Sequence, residues 1–213
     1  MLEAWLDDTT IQDFVLHVRG RRPTAGHGTA SEAIPLFDWA SVDRILDQDA
    51  LDLSVRRGGR PVEAAPPRGL DALRGLFAMD VGLVVRHAER ADPGLAALAR
   101  SFTRDLSGPT RLELTATPAG DRGHGWHYDA DERFVVVTEG FEQHYFRANT
   151  VAPEPVRGAP PDFARIREER SPMSTCLLAP GDWLYLPRGW WHTAQADEDT
   201  LAISIGVAPG IWA

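Results

Sequence analysis

Two short stretches decide the fold of this chain: GHGWHYD at residues 123–129 and PRGWWH at residues 187–192. Side chains alternate between the two faces of a β-strand, so His127 and Asp129 are predicted to point into the same cavity. His192, from the second stretch, adds another imidazole. Two histidines and one carboxylate bind one face of Fe(II) and leave open positions for substrate and oxygen. These three residues are therefore the candidate metal ligands and catalytic residues.

The composition is that of a globular chain with an acidic balance. The 213 residues suffice for one sizeable core, and 43% of them are hydrophobic. The net charge of −9 disfavours binding to nucleic acid or to acidic membranes. A single cysteine, Cys176, excludes an internal disulfide and suits a reducing cytosol. No apolar run approaches a membrane span and the N-terminus does not resemble a signal peptide, so we expect a cytoplasmic protein.

The N-terminal part of the chain mixes helix and strand patterns. Residues 11–19 combine β-branched and aromatic side chains and are predicted as a strand. Helical spacing follows Asp38, the predicted N-cap of one helix, and recurs over residues 70–77. The pair Asp92–Pro93 predicts the start of a further helix. We therefore expect residues 1–109 to form a helix-containing part.

From residue 110 onward the pattern is one of short strands. The stretch RLELTAT at residues 111–117 alternates polar and apolar side chains, and later β-rich runs are separated by turn signals. This pattern predicts a β-barrel or sandwich with helices packed outside. We place the barrel core at residues 110–207, within a single domain spanning residues 1–213. The proline-rich excursion at residues 151–172 is a candidate lid or, equally, a surface insertion.

The combined motifs resemble a known family. The run TPAG at residues 117–120, leading to HYD at 127–129, looks like the first half of a JmjC or cupin-like Fe(II)/2-oxoglutarate oxygenase. GDWLYLPRGWWH at residues 181–192 and LAISIG at 201–206 look like the second half. The resemblance implies a mostly β fold, the double-stranded β-helix or jelly roll, with the N-terminal helices packed outside.

The resemblance also implies an activity and its cofactors. It implies Fe(II) on His127, Asp129 and His192, with 2-oxoglutarate as a cosubstrate that is decarboxylated to succinate. The implied product is a hydroxylated side chain of a protein or peptide, and the family includes hydroxylases of ribosomal proteins. Thr117 matches a position where relatives often place a hydroxyl near the cosubstrate.

One position departs from the family pattern. Relatives place lysine or arginine two residues after the glycine that matches Gly140, where the cation pairs with the far carboxylate of 2-oxoglutarate. Here that position is Glu142, and two carboxylates repel each other unless one is protonated. His144 shares the strand parity of Glu142 and is a candidate donor in its place. Arg111 is another candidate, whereas Arg147 has the opposite parity and needs a bulge.

Several alternatives stay open at this point. The chain is either a hydroxylase, a metal-binding cupin that has lost oxygenase activity, or a dioxygenase that does not use 2-oxoglutarate. The expected partner is a protein or peptide substrate, with a small molecule as the alternative, and the oligomeric state is open. His124 is interpreted as a loop histidine before a metal ligand, Trp126 as barrel packing before pocket lining, and Cys176 as a small buried hydrophobe.

Overall fold

The computed structural model of the protein describes residues 1–153 and 162–209. The strands, in chain order, are β1 (Thr24–Gly26), β2 (Asp52–Arg57), β3 (Arg60–Pro61), β4 (Gly82–Arg86), β5 (Thr110–Thr117), β6 (Glu132–Glu139), β7 (Glu142–Arg147), β8 (Met173–Leu178), β9 (Trp183–Leu186), β10 (Trp191–Ala196) and β11 (Thr200–Val207).

The helices are concentrated before β5. They are α1 (Leu2–Trp5), α2 (Ile11–His17), α3 (Val42–Leu46), α4 (Gly69–Phe77) and α5 (Pro93–Leu106). Single 3₁₀ turns occupy Ser31–Leu36, Ala88–Arg90 and Phe163–Arg167. No helix in the described part of the chain is long and apolar enough to cross a membrane.

Two antiparallel sheets form the scaffold. The larger sheet has the strand order β1-β9-β6-β11-β5-β4-β2-β3, and the smaller has the order β10-β7-β8. This is the expected jelly roll, in which the chain passes between the two sheets from β6 to β7, from β8 to β9, from β9 to β10 and from β10 to β11. The N-terminal part contributes more than outer helices, because β1 and β2 to β4 extend both edges of the larger sheet.

The two faces of the larger sheet have different roles. On β5, Leu112 and Leu114 are buried in the main core, which lies beneath the helices. The long helix α5 covers this face with Leu98 and Phe102, whose ring packs edge-on against Phe134 at 5.0 Å. The alternate residues of β5 therefore face the space between the two sheets, where a site can form.

The structure corrects the prediction for residues 11–19, which form helix α2 instead of a strand. The hydroxyl of Thr10 accepts a hydrogen bond from the Asp13 amide and caps the helix. Phe14 and Val18, four residues apart, then turn to the core, while Val15 and Leu16 remain exposed. Composition favours a strand here, but the cap and the spacing of the buried residues are those of a helix.

The predicted start at Asp38 is also wrong, because α3 begins at Val42. Asp38 instead closes a turn by accepting a hydrogen bond from the amide of Ser41. The prediction at Asp92 is confirmed. Its carboxylate accepts hydrogen bonds from the amides of Gly94 and Leu95, and it also pairs with Arg44.

We expect the substitution Asp92→Ala to destabilise the protein by about 1–2 kcal/mol, since it leaves two amides at the start of α5 without a cap. The measurement is urea denaturation followed by circular dichroism. Asp49→Ala is the matched control, because the Asp49 side chain is 91% exposed and its pair with Arg68 lies in solvent. It should change the free energy of unfolding by less than about 0.5 kcal/mol. Equal effects of the two substitutions would contradict the capping role.

Candidate metal centre

The two ligand-bearing stretches are joined by backbone hydrogen bonds. The amide of His127 donates to the carbonyl of His192 at 3.0 Å, and the amide of His192 donates back to His127 at 2.8 Å. The amide of Gly189 also donates to the carbonyl of Asp129 at 2.8 Å. The first stretch is not the regular strand that its sequence predicts, since His127 forms only an isolated bridge with His192. These three backbone hydrogen bonds bring the distant stretches together.

The structure brings the three candidate ligands into one group. One side-chain nitrogen or oxygen from each of His127, Asp129 and His192 lies within 4.8 Å of the others. The two imidazole rings are 4.1 Å apart. His192 is buried, while His127 and Asp129 are half-buried at the edge of a cavity. This spacing suits a single ion bound by all three side chains.

The tautomers of both histidines favour metal binding. Nδ1 of His127 lies 2.8 Å from the carbonyl oxygen of Gly125, and Nδ1 of His192 lies 2.9 Å from that of Trp190. A carbonyl oxygen only accepts, so each Nδ1 carries the hydrogen and each Nε2 keeps its lone pair. Nε2 of His192 is buried and has no hydrogen-bond partner among the described residues. A metal ion would satisfy that lone pair.

Arg133 holds the carboxylate of the set. Its Nε donates to Oδ2 of Asp129 at 2.5 Å, and its guanidinium also lies 3.9 Å from Glu113. Burial by itself would raise the pKa of Asp129, but the charge of Arg133 and the two neighbouring imidazoles outweigh burial and lower it well below its usual range. The carboxylate is therefore held ionised, in the form that binds a cation.

The ring of His192 is kept neutral for a different reason. Burial lowers the pKa of His192, and the closeness of His127 adds to that effect. His124, whose ring centre is 5.4 Å from that of His127, has its pKa lowered to about 3, again mainly by burial. His124 lies in a loop, as its flanking glycines predict, and it is not part of the three-residue group.

Two cavities meet at the candidate ligands. The inner cavity, of about 70 Å³, lies between the two sheets and is lined by both histidine ligands together with Thr117, Glu142 and His144. The outer cavity, of about 330 Å³, opens beside Asp129 and is bordered by Arg86, His87, Arg111 and Asp131. Glu113, Arg133 and Ser204 line both cavities.

The remaining residues singled out in the sequence separate into three places. Thr117 and His144 line the inner cavity, as expected from their strand parity, whereas Arg111 lines the outer one. Arg147 lies on the other face of β7 and donates to Ser171, away from the candidate ligands. Trp126 lines neither of these two cavities but a third one beside Tyr145.

Two further sequence predictions concern Cys176 and the excursion at residues 151–172. Cys176 is half-buried on β8 rather than fully buried, and it packs against the smaller apolar cluster between the sheets. The excursion at residues 151–172 is described only in part, and the stretch from 154 to 161 lies outside the described residues.

The role of Arg133 was not predicted from the sequence. It lies in the strand β6, whose following residues Phe134 to Val137 are apolar and buried. A lone cation beside a buried apolar run is unusual, because a buried charge needs a partner. The sequence feature that could have identified Arg133 is its position four residues after Asp129, the carboxylate with which it pairs.

Comparison with known proteins agrees with this geometry. The JmjC domain family matches residues 95–212, more than half of the chain, and this range contains all three candidate ligands. The chain belongs to the JmjC domain family.

Relatives of this JmjC chain include a demethylase and hydroxylase and a ribosomal oxygenase. It is 26% identical over 205 residues to the bifunctional lysine-specific demethylase and histidyl-hydroxylase NO66 of Aedes aegypti. The match covers 90% of this chain and 32% of that protein. It is 32% identical over 90 residues to human ribosomal oxygenase 1, covering 42% of this chain and 14% of that protein. This JmjC chain therefore spans at most about a third of the curated relatives that it matches.

A solved structure resembles the whole described fold. The ribosomal oxygenase YcfD of Escherichia coli, in complex with cobalt and 2-oxoglutarate, has a TM-score of 0.65 and 20% sequence identity. The match covers 94% of this JmjC chain and 52% of the YcfD chain. At this level of identity the likeness supports the jelly-roll fold alone.

We expect His192→Ala to weaken binding of Mn(II) or Co(II) by more than about 100-fold, beyond the loss typical of residues that only support a ligand. His124→Ala should leave the affinity almost unchanged, since His124 lies outside the three-residue group. Calorimetry on the two folded variants measures both affinities. A large loss of affinity in the His124 variant would show that it is a ligand.

Proposed function

We propose that this chain is an Fe(II)/2-oxoglutarate-dependent oxygenase that hydroxylates a side chain of a protein or peptide. The observation that carries the proposal is the orientation of the two imidazoles. His127 and His192 each donate Nδ1–H to a backbone carbonyl, which leaves two Nε2 lone pairs beside the ionised carboxylate of Asp129. Two neutral imidazoles and one carboxylate form the donor set of non-haem Fe(II) oxygenases.

In this proposal His127, Asp129 and His192 hold the iron, and Thr117 and His144 contact the cosubstrate in the inner cavity. When bound, iron and 2-oxoglutarate would supply the oxidation, with one atom of dioxygen going to the substrate and the other to succinate as carbon dioxide is released. The chain supplies position and charge. Arg133 holds one oxygen of Asp129, and the two backbone carbonyls fix the ring orientations of the histidines.

The outer cavity is the proposed entrance for the substrate side chain. It opens beside Asp129 and shares Glu113, Arg133 and Ser204 with the inner cavity, so a side chain in it would lie next to the metal ligands. Its volume of about 330 Å³ is in the range of sites that hold a small molecule or one amino-acid side chain.

The relatives indicate which substrates to test. Their names include histidyl-hydroxylase, lysine-specific demethylase and ribosomal oxygenase. Ribosomal proteins and histidine-containing peptides derived from them are therefore the proposed first substrates. We further propose that the chain acts as a single domain over residues 1–213 and works in the cytoplasm, in keeping with its acidic charge and single cysteine.

We expect the iron-loaded protein to produce succinate from 2-oxoglutarate in step with the gain of one oxygen atom by a ribosomal protein. Mass spectrometry measures the oxygen and chromatography measures the succinate. His127→Ala should abolish both products because it removes a metal ligand. His17→Ala is the matched control, since His17 is exposed at the end of α2 and should retain full activity.

A second candidate function is favoured by Glu142, a buried carboxylate in the inner cavity. It is a metal-binding JmjC domain that does not use 2-oxoglutarate, either a dioxygenase or a non-catalytic metal-dependent sensor. Oxygen uptake without succinate would identify the dioxygenase. Metal binding with neither oxygen uptake nor binding of any 2-oxo acid would identify the sensor.

A further inference from the structure

The inner end of the cavity contains a paired carboxylate and imidazole. Oε2 of Glu142 lies 3.1 Å from Nε2 of His144, and Oε1 of Glu142 accepts a hydrogen bond from the hydroxyl of Thr200 at 2.9 Å. Glu142 and His144 are 5% and 4% exposed, so the pair is shielded from solvent. Both oxygens of Glu142 are engaged by groups of the protein itself, and neither needs a ligand.

One of the two ring nitrogens of His144 has no hydrogen-bond partner among the described residues. Its Nε2 faces Glu142, whereas its Nδ1 is buried and has no hydrogen-bond partner in the part of the chain that the structure describes. The ring lines the inner cavity, which also contains both metal-binding imidazoles. A buried nitrogen without a partner costs free energy, so the position suggests a group that arrives with the ligand.

Strand pairing offsets His144 from the metal ligand on the neighbouring strand. On β10, His192 pairs with Phe146 of β7, and Ala194, two residues later, pairs with His144. Ala194 and His144 both line the inner cavity beside the two histidine ligands. Thr200 pairs with Thr117 across β11 and β5, so the Thr117 hydroxyl stands beside the residue that holds Glu142.

We propose that Glu142 and His144 act together as the anchor for the far carboxylate of a 2-oxo diacid, in place of the cation that relatives carry at position 142. The proposal rests on the proposed oxygenase function and names the binding site of its cosubstrate. Glu142 is a positioning residue, which orients the ring and balances its charge. His144 donates Nδ1–H to the ligand, and Thr117 supplies a second donor.

The pairing explains how a carboxylate at position 142 is compatible with a carboxylate ligand. An imidazole donates from both nitrogens only when it carries a positive charge. In that form Nε2–H is directed at Glu142 and Nδ1–H at the ligand. The other acidic side chain on the inner lining is Glu113, which lies 3.9 Å from the guanidinium of Arg133. Glu142 is therefore the acidic group that engages the His144 ring, and it does so at Nε2, which leaves Nδ1–H to the ligand.

The affinities of two ligands distinguish an anchor at Glu142 and His144 from simple repulsion between Glu142 and the far carboxylate of the ligand. The first is 2-oxoglutarate and the second is 2-oxopentanoate, a 2-oxo acid of equal length without the far carboxylate. Both can chelate a metal through the same 2-oxo acid end, so their affinities differ only through the far end. We expect the Mn(II)-loaded protein to bind 2-oxoglutarate at least about 10-fold more tightly, as one charge-assisted hydrogen bond would give.

Glu142→Gln is the decisive variant, because the two explanations predict opposite signs. If Glu142 supports the charge of His144, the substitution should weaken 2-oxoglutarate binding about 10-fold and leave 2-oxopentanoate unchanged. If Glu142 repels the ligand, the same substitution should strengthen 2-oxoglutarate binding. Calorimetry on the Mn(II)-loaded proteins measures both affinities without requiring turnover. Gln143→Ala, on the opposite face of the same strand, is the control and should change neither affinity.

His144→Phe keeps an aromatic ring in place and removes both nitrogens. It should abolish the preference for 2-oxoglutarate over 2-oxopentanoate even if Glu142→Gln proves unstable. Stronger binding of 2-oxoglutarate to the Glu142→Gln protein would overturn the anchor, as would equal binding of the two ligands to the unaltered protein. In either case the proposal that the chain uses a 2-oxo acid as cosubstrate would not be contradicted. Failure of the metal-loaded protein to bind either ligand would overturn both the anchor and the proposed function.

Discussion

Backbone hydrogen bonds between two short segments hold the candidate site together: a pair between His127 and His192, and a third from the amide of Gly189 to the carbonyl of Asp129. These residues come from segments far apart in the sequence, and the bridge fixes their Cα positions without help from regular strand pairing on the first segment. Each ring is then oriented by its own backbone, through the carbonyls of Gly125 and Trp190. Side-chain geometry at the metal centre is thus determined largely by main-chain contacts, which do not depend on a bound ion. This gives the site a preorganised set of lone pairs.

Charge is balanced locally around that framework. Arg133 lies between Asp129 and Glu113, so one cation serves two carboxylates at the point where the inner and outer cavities meet. The contact keeps Asp129 ionised, and Glu113 lies near Arg86 as well as Arg133. Loss of Arg133 would therefore alter the metal ligand and the lining of both cavities together. The guanidinium of Arg133 contacts Asp129 directly and also lines the inner cavity.

The charge of Glu142, which also lines the inner cavity, is balanced in a different way. There Glu142 is paired with His144 and Thr200, a carboxylate and imidazole that together carry no net charge when the ring is protonated. Such a pair binds an anion less strongly than an arginine does, because the charge it presents is partly neutralised by its own partner.

Much of the architecture could be predicted from the sequence, because the periodicity of β5 and the Asp92 cap are local signals. The strand expected at residues 11–19 was wrong, since composition alone does not reveal which of Phe14 and Val15 meets the core. By itself the sequence determined the jelly-roll class and the three candidate ligands, whose identities and motif spacing are written in the chain. Only the tertiary structure decided that Arg133 pairs with Asp129, and that Glu142 turns to its neighbour instead of facing a ligand. Those contacts join side chains whose directions depend on how separate strands are registered against each other.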